Sequence, residues 1–437
     1  MLLPDKEIEE QIMNELNRQR TVLEMIPSEN FTSPAVLKAL GSVLTNKYSE
    51  GYPGKRYYGG NQFIDKIEEI AIDRAKKLFG VEHVNVQPYS GSPANFAVYI
   101  ATCKPGDTIM GLELSHGGHL THGWKTSVSG MFYNSVPYHV NEEGFIDFEE
   151  LEMLAKKHKP KLIWCGFTAY PRIVDFKRFA EIADSVDAYL VADISHIAGL
   201  IVGGVHPSPV KYAHIITTTT HKTLRGPRGA MIMVTKKGIE KDSELPQKID
   251  RAVFPGLQGG PHDNVTAAIA VVLYEASQPE FKEYAKQIVK NCKVLAEGLK
   301  ENGMKLVTGG TDNHLILIDL TQFGYGKGLY AQEALDEAHI VVNKNTIPND
   351  PSPFYPSGIR CGTPAITTRG MKEKEMKEIA NMMAEVIHEI KDYEFVKEKK
   401  DELIKKFRED IKKNKVITKV REQVLELCSK FPLYEGM

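Results

Sequence analysis

The residues with the clearest chemical potential stand at the end of an apolar, β-branched stretch. Ile215 and Ile216 are followed by four threonines, then by His221 and Lys222, and a loop rich in glycine and proline begins soon after. A strand of this kind delivers an amine to the floor of a cleft, as a Schiff-base lysine requires. The nearest charged groups are two arginines and a histidine, which favour a deprotonated amine. Taken alone, the segment fits equally well with a lysine that only pairs with a carboxylate.

A second segment has the composition of an anion-binding turn. A predicted strand at 84–87 leads into Tyr89-Ser90-Gly91-Ser92-Pro93 and then into an apolar helix. We expect Ser92 to be the N-cap and Pro93 to be the first helical residue. Free N–H groups and two hydroxyls at a helix N-terminus can bind a phosphate, although a plain capped helix is the simpler explanation.

Two charged residues occupy strand-like runs. Asp193 ends the buried run Tyr189–Asp193, and open α/β sheets bind ligands at the carboxyl ends of their strands. A carboxylate there can pair with a pyridinium nitrogen, or it can simply cap the next turn. Arg360 lies between glycines and a proline, and its planar fork matches the carboxylate that all α-amino acids share. A structural ion pair is the alternative for Arg360.

Three imidazoles within seven residues, His116, His119 and His122, raise the question of a metal site. The glycine pair Gly117-Gly118 instead makes a loop that can bring an imidazole flat against a ring, and we predict no metal. Together, an amine, a phosphate turn, a pyridinium partner, a stacking imidazole and a carboxylate fork describe pyridoxal phosphate acting on an amino acid.

These side chains require a scaffold of alternating helices and strands. Strand-like runs occur at 107–112, 161–167, 189–193, 213–219 and 230–234, with helical patterns between some of them. The alternation predicts an α/β fold with a mostly parallel, buried sheet. A helix pair at 263–302 precedes a smaller α/β domain. Residues 26–61 form a long segment without periodicity, whose tyrosines argue against disorder.

Composition excludes several classes of function. The 437 residues carry 55 basic and 57 acidic side chains, for a formal charge of −2, and no basic stripe indicates nucleic-acid binding. The five cysteines are widely spaced, which supports neither a disulfide framework nor a zinc knuckle. The first residues lack signal-peptide features, and no apolar run is long enough to span a bilayer. We expect a cytoplasmic protein with small-molecule substrates and no nucleic-acid or membrane partner.

Longer motifs resemble those of the serine hydroxymethyltransferase family almost end to end. They are Ile26-Pro27-Ser28-Glu29-Asn30, the tyrosine-rich block 46–60, residues 116–123, the threonine-rich block 217–229, residues 254–261, Asn343-Lys344-Asn345 and residues 358–369. The tyrosine-rich and threonine-rich blocks separate this family from aldolases and aminotransferases of the same fold.

The resemblance implies a fold type I transferase dependent on pyridoxal 5'-phosphate. Its large domain contains a mostly parallel seven-stranded sheet, and its smaller C-terminal domain is α/β. On this basis we expect an N-terminal arm at 1–60, the cofactor domain at 61–270 and the small domain at 271–437. The resemblance also implies a homodimer, or a dimer of dimers, whose active sites use residues of both subunits.

The resemblance further assigns roles to individual residues. Lys222 resembles the lysine that holds the cofactor as an internal aldimine, Asp193 the pyridinium partner and His119 the stacked imidazole. Ser90 and Gly91 match phosphate contacts from one subunit, and Gly260 matches a contact from the other. The remaining matches are Thr168, His196 and His221 for cofactor orientation, Thr219 and His221 beside the catalytic lysine, Tyr48, Glu50 and Tyr58 at the reacting hydroxymethyl group, Ser28 and Arg360 at the substrate carboxylate, and Leu114, Gly118 and Asn345 at the pterin.

The implied reaction is the reversible conversion of serine and a reduced pterin to glycine and the methylene carrier. Pro93 and Pro171 depart from the family pattern, so the pterin can be tetrahydrofolate or tetrahydromethanopterin. A pterin-independent aldolase of the threonine-aldolase type is the alternative enzyme. A regulatory pseudoenzyme is the non-enzymatic alternative, and loss of Lys222, Asp193 or Arg360 would favour it, but all three are present.

Overall fold

The computed structural model describes residues 4–351 and 354–436. Its strands are β1 (Leu23–Glu24), β2 (Gly51–Tyr52), β3 (Lys55–Arg56), β4 (His83–Asn85), β5 (Thr108–Leu112), β6 (Asn134–Tyr138), β7 (Leu162–Gly166), β8 (Tyr189–Asp193), β9 (Ile215–Thr219), β10 (Ala230–Val234), β11 (Lys305–Leu306), β12 (Leu315–Asp319), β13 (Ile340–Val341), β14 (Asn343–Asn345) and β15 (Gly358–Gly362).

The α-helices are distributed along the whole described chain. They are α1 (Lys6–Thr21), α2 (Pro34–Leu40), α3 (Gln62–Phe79), α4 (Gly91–Thr102), α5 (Val128–Phe132), α6 (Phe148–His158), α7 (Phe176–Ser185), α8 (Ala198–Val202), α9 (Lys236–Lys241), α10 (Leu245–Val253), α11 (Asp263–Ala276), α12 (Pro279–Glu301), α13 (Gly328–Glu337), α14 (Pro364–Thr368), α15 (Glu373–His388), α16 (Lys400–Ile411) and α17 (Lys415–Ser429). In the described part of the chain, no helix combines the length and hydropathy needed to cross a membrane.

The chain forms two compact units, and Asn30–Lys286 is the larger. It contains a seven-stranded sheet with the order β4-β10-β9-β8-β7-β5-β6. Strands β6, β5, β7, β8 and β9 run parallel, whereas β10 is antiparallel to both β9 and β4. This arrangement confirms the mostly parallel seven-stranded sheet.

The sheet forms because its central strands are rich in apolar and β-branched residues and are buried on both faces. All residues of β7, β9 and β10 are buried, as expected for strands covered on both faces. The largest buried side chain is Trp164 of β7, whose indole N–H donates to the hydroxyl of Tyr99 on α4. Helices α4 and α10 contribute side chains to the same hydrophobic core as this strand, so α4 is packed firmly against the sheet.

The second unit contains residues up to Glu29 together with those from Gln287 onward. Its main sheet is antiparallel, in the order β11-β12-β15-β14, and β1 pairs in parallel with β13. Apolar side chains of its long helices pack with Leu23, Met25, Ile316 and Ile359 in one core. The predicted domain boundaries at residues 60 and 270 stay a prediction.

Three local predictions require correction. Helix α4 begins at Gly91 with Ser90 as its N-cap, not at Pro93 with Ser92 as its N-cap. Residues 26–61 are not irregular throughout, since they contain α2, a 3-10 turn and the β2–β3 hairpin. Strand β6 was missed because Pro137 and its polar neighbours weaken the strand pattern, which is tolerated at a sheet edge.

Candidate active site

The carboxyl ends of β8 and β9 carry the central candidate residues. These strands run parallel, and Asp193, the last residue of β8, is in register with Thr217. Strand β9 ends at Thr219, and Lys222 follows in the bend after it. The hydroxyl of Thr219 is buried without a hydrogen-bond partner among the described residues. The sheet thus brings the predicted carboxylate and amine to the edge where α/β sheets bind ligands.

The carboxylate of Asp193 is surrounded by donors. Its Oδ1 accepts from the backbone N–H and the hydroxyl of Ser195, at 3.1 and 2.6 Å. Its Oδ2 accepts from Asn95 Nδ2 at 2.9 Å and lies 3.2 Å from Nε2 of His122. Burial raises the pKa of this carboxyl, but His122, with His119 and Ser195, holds the pKa well below its ordinary value. Asp193 is therefore ionised at neutral pH, as a pyridinium partner must be.

Asn95 and His122 belong to this group, although the sequence analysis did not assign them to it. The ring of His122 stacks on that of Trp164, with centroids 4.6 Å apart and planes inclined by 10°. Asn95 Oδ1 accepts from the hydroxyl of Thr217 at 2.8 Å. One signal could have revealed Asn95, since it is an amide within an otherwise apolar, buried helix face.

His119 lies in the loop between β5 and α5. Its Nδ1 accepts from the backbone N–H of Thr121 at 3.2 Å, which leaves Nε2 to carry the ring proton. Burial and the neighbouring His122 lower the pKa of His119 to about 4, although Asp193 opposes the shift. His119 is therefore a neutral imidazole, which can lie flat against an aromatic ring without a charge penalty.

Thr168 fastens the loop that precedes His119. Its hydroxyl donates to the carbonyl oxygens of Gly117 and Gly118, at 3.2 and 2.9 Å, and its N–H donates to the first of them. A Cβ at Gly118 would lie only 1.9 Å from the carbonyl oxygen of Leu112, so the loop requires glycine there. Leu114 lies at the start of the same loop, in a 3-10 turn.

The turn at Ser90 and Gly91 is suited to an anion. Ser90 is the N-cap of α4, but its side chain makes no capping hydrogen bond, so the hydroxyl is available to a ligand. A Cβ at Gly91 would lie 2.8 Å from Cγ2 of Thr219, which shows how closely the turn approaches the end of β9. Backbone N–H groups at the start of a twelve-residue helix favour a phosphate.

The segment around Lys222 is fixed through its backbone. The carbonyl oxygen of Lys222 accepts from Asn30 Nδ2 at 2.9 Å and from the N–H of Arg225 at 3.0 Å. The hydroxyl of Thr223 donates to the carbonyl oxygen of His196, a buried residue, at 2.8 Å. Burial, with the charges of Lys222 and Arg228, lowers the pKa of His221 to about 3, so this imidazole is neutral.

Pyridoxal phosphate fits these residues by the chemistry of their groups. The ring would meet an ionised carboxylate at Asp193 and a neutral imidazole at His119, and the phosphate would meet the start of α4. The hydroxyl of Thr219 and Nδ1 of His221 are buried polar atoms without a hydrogen-bond partner among the residues that the structure describes. A bound polar cofactor supplies such a partner.

A second group of predicted residues lies on the surface of the same unit. Tyr48 donates its hydroxyl to Oε1 of Glu50 at 3.2 Å, and its ring meets that of Tyr58 edge-on, with centroids 4.9 Å apart. A Cβ at Gly260 would lie 3.4 Å from the ring of Tyr48. Tyr48 is 52% exposed and Tyr58 is 48% exposed. Tyr48, Glu50, Tyr58 and Gly260 thus form one group.

Three predicted residues belong to the other unit. Arg360 lies on β15, where its Nε donates to Oδ1 of Asn343 on β14 at 3.0 Å. Burial lowers the pKa of Arg360 to about 10, a cost that a bound carboxylate would offset. The segment that carries Ser28 passes close by, since the N–H of Gly362 donates to Met25 at 2.8 Å. Asn345 pairs with Gly358 on the same sheet.

The three neighbouring histidines have different partners. His116 accepts from the N–H of Val140 and meets the ring of His139, whereas His122 pairs with Asp193. Within residues 4–351 and 354–436, no cluster of three metal-ligating side chains is present.

Comparison with known proteins decides the family. The family model described as serine hydroxymethyltransferase matches residues 2–383. The chain belongs to the serine hydroxymethyltransferase family. A protein of that name from Desulfotalea psychrophila is 54% identical over 98% of this chain and 94% of its own length. Others from Acidothermus cellulolyticus and Alkalilimnicola ehrlichii are 59% and 52% identical, over 87% and 99% of this chain and 88% and 97% of their own lengths.

Serine hydroxymethyltransferases depend on pyridoxal phosphate and use a folate one-carbon carrier. Membership therefore supports a pyridoxal-phosphate transferase and disfavours the pterin-independent aldolase. It also agrees with an enzyme rather than a pseudoenzyme scaffold. The individual residue roles stay predictions, since a family match does not test them.

Proposed function

We propose that this chain transfers the hydroxymethyl carbon of serine to a reduced pterin, with Lys222 as the residue that binds pyridoxal phosphate covalently. One observation carries the assignment of the site: an ionised Asp193 ends β8, Lys222 follows β9, and the charges of both act on a neutral, partly buried His119. Family membership supports the reaction.

The cofactor, when bound, supplies an electron sink for cleavage of the Cα–Cβ bond of serine. Asp193 would keep a proton on the pyridine nitrogen, because an ionised carboxylate stabilises an adjacent cation. His119 would pack against the cofactor ring, and Thr168 holds the loop that positions His119. His196 and His221 help to orient the cofactor, while Thr219 lies next to the phosphate turn.

Glu50 is the proposed acid/base at the serine hydroxyl, since a carboxyl group can both accept and return that proton. Tyr48 orients it through the hydrogen bond to Oε1. This hydrogen bond, followed by the charge of Glu50, raises the pKa of Tyr48, so Tyr48 stays a donor. Tyr58 supports the ring of Tyr48 at its edge.

Arg360 and Ser28 bind the substrate carboxylate in this proposal. A planar guanidinium forms two parallel hydrogen bonds with a carboxylate, and the bond from Nε to Asn343 restrains its orientation. Leu114, Gly118 and Asn345 contact the pterin. Tetrahydrofolate is the first candidate because the family uses a folate carrier, and tetrahydromethanopterin is the second.

A homodimer is part of the proposal, with a dimer of dimers as the alternative. Its support is the exposure of large side chains around the Tyr48 group, where Tyr57 is 75% and Phe63 is 72% exposed. Aromatic residues exposed at this density mark interaction surfaces. A second subunit would cover Glu50 and exclude water from the reaction. A cytoplasmic location is also proposed, in keeping with five free cysteines.

Purified protein tests the proposal directly. Cleavage of serine is measured with tetrahydrofolate, with tetrahydromethanopterin and without a pterin, alongside borohydride reduction and peptide mass mapping. We expect pterin-dependent formation of glycine and a reduced pyridoxyl adduct on Lys222. Pterin-independent cleavage at the same rate would replace the proposal with the aldolase, and an adduct on another lysine would overturn the assignment of Lys222.

A further inference from the structure

Gln258 holds the backbone that leads into the phosphate turn. Its Oε1 accepts from the N–H of Tyr89 at 3.0 Å, and its Nε2 donates to the carbonyl oxygen of Gln87 at 2.8 Å. On the other side of the segment, the carbonyl oxygen of Pro88 accepts from the N–H of Ala230 at 3.3 Å. The buried amide therefore pairs with residues i and i+2, as a neighbouring strand would.

This pairing is needed because β4 lies at the edge of its sheet and ends at Asn85. Beyond that residue, no strand in the described part of the chain pairs with the carbonyl of Gln87 or the N–H of Tyr89. A buried backbone group without a partner is costly, and the side-chain amide of Gln258 offers both a donor and an acceptor.

Two further contacts join the same pair of segments. The hydroxyl of Tyr89 donates to the carbonyl oxygen of Gly260 at 2.7 Å. The ring of Tyr89 stacks on that of His262, with centroids 4.2 Å apart and planes inclined by 6°. The segment just before Ser90 is thus fastened to the loop that contains Gly260.

We propose that Gln258 is a positioning residue for the cofactor phosphate, acting through both segments that it connects. This inference rests on the proposed function, in which Ser90 and Gly91 bind the phosphate of one site and Gly260 binds that of the partner site. Gln258 fixes the backbone before Ser90 and lies two residues before Gly260. One side chain would thereby align the phosphate contacts of both sites in a dimer.

The test compares two ligands that differ only in the phosphate. The dissociation constants of pyridoxal phosphate and of pyridoxal are measured on cofactor-depleted full-length protein for the native chain, Gln258→Glu and Gln258→Met. The glutamate keeps the shape but turns an oxygen toward the carbonyl of Gln87, and the methionine removes both hydrogen bonds. We expect pyridoxal phosphate to bind about 10- to 100-fold more weakly, with pyridoxal affinity nearly unchanged.

Controls separate this inference from its alternatives. Gln423→Glu, the same change on an exposed face of α17, should leave both affinities at native values. Combining Gln258→Met with Ser90→Ala should give less than the sum of their effects, because one acts through the other. An equal loss of both ligands, or failure of both variants to fold, would assign Gln258 a structural role and overturn the inference. If the native chain itself does not prefer the phosphate form, the proposed phosphate site fails instead.

Discussion

The group at the ends of β8 and β9 and the group around Tyr48 differ in how far one chain completes them. Asp193 and Thr219 are held by buried hydrogen bonds and covered by α4 and the loop of His119. Tyr48 and Tyr58 are about half exposed, and their side chains contact each other, Glu50 and neighbouring glycines. Both groups come from motifs of similar specificity, yet only the first is enclosed by its own chain.

The difference shows how burial affects the charge state and the hydration of functional side chains. Several hydrogen-bond donors keep the carboxylate of Asp193 ionised despite its burial. Its charge state is therefore fixed before any ligand binds. The Tyr48 group has not been removed from water, and electrostatic catalysis is weaker in water. We infer that a second subunit completes this group, and each prediction below tests one side of the contrast.

Replacement of Lys222 should have the largest effect, because it removes a covalent bond from the enclosed group. Lys222→Ala and Lys222→Arg should lose the borohydride-fixed adduct, and turnover should fall on the order of 10³-fold or more. Circular dichroism should match that of the native protein, since the contacts of this segment run through its backbone. Native turnover in either variant would exclude Lys222 from the reaction.

Replacement of Glu50 tests the surface group alone. Glu50→Gln keeps the hydrogen bond from Tyr48 but removes the titratable proton, so pterin-dependent serine cleavage should fall by about 10²- to 10⁴-fold. Cofactor absorbance should be unchanged, because Glu50 is not part of the enclosed group. A variant with native turnover would remove Glu50 from the proposed mechanism.

Mixing the two inactive proteins tests whether the Tyr48 group of one subunit completes the Lys222 group of the other. If each site combines Lys222 of one subunit with Glu50 of the other, a mixed dimer of Lys222→Ala and Glu50→Gln has one intact site. Co-refolded protein should then recover about a quarter of native activity, since half of the dimers are mixed. No recovery, with mixed dimers verified by native mass spectrometry, would mean that both residues act within one chain.

Arg360 tests a binding contact in the other unit, where burial has lowered the pKa of a cation to about 10. Arg360→Ala should weaken serine and glycine binding by about 2–5 kcal/mol, with little change in cofactor affinity. Arg360→Lys keeps the charge but loses the planar fork, so its affinity for serine and glycine should lie between those of the native chain and Arg360→Ala. Titration of glycine by absorbance measures both, and an equal loss of cofactor would indicate a structural role instead.

The sequence predicted the parallel sheet because its strands are continuous apolar runs between turn residues, as at Leu162–Gly166. The sequence also placed Asp193 and Lys222 near strand ends, because the length of each predicted strand determines where it ends. It did not reveal the roles of Asn95, His122 and Gln258. Their partners lie 98, 71 and 169 residues away in sequence, and no local period reports contacts of that kind.

The last prediction concerns stability rather than activity, and it compares Asp193 with Glu24, a second buried carboxyl, which lies in the other unit. Glu24 accepts from the N–H of Ile26 at 3.2 Å and lies 3.6 Å from Arg18. Burial, followed by the charge of Glu29, raises its pKa from 4.5 to about 8. Since the folded pKa lies above the unfolded one, Glu24 stabilises the fold fully below about pH 4.5, and this contribution is lost as the pH rises through about 8.

Thermal unfolding of the native chain and of Glu24→Gln should therefore diverge with pH. The glutamine mimics the protonated form at every pH, so the two proteins should unfold alike near pH 5, and the native chain should become the less stable one by pH 9. Glu29→Gln is the matched control. If Glu29 contributes as described, removing its charge should shift the loss of stability to lower pH, and if burial acts alone the pH of the loss should not change. Parallel unfolding profiles for the native chain and Glu24→Gln between pH 5 and pH 9 would show that Glu24 is ionised throughout. Burial would then not neutralise Glu24, even with fewer donors than surround Asp193.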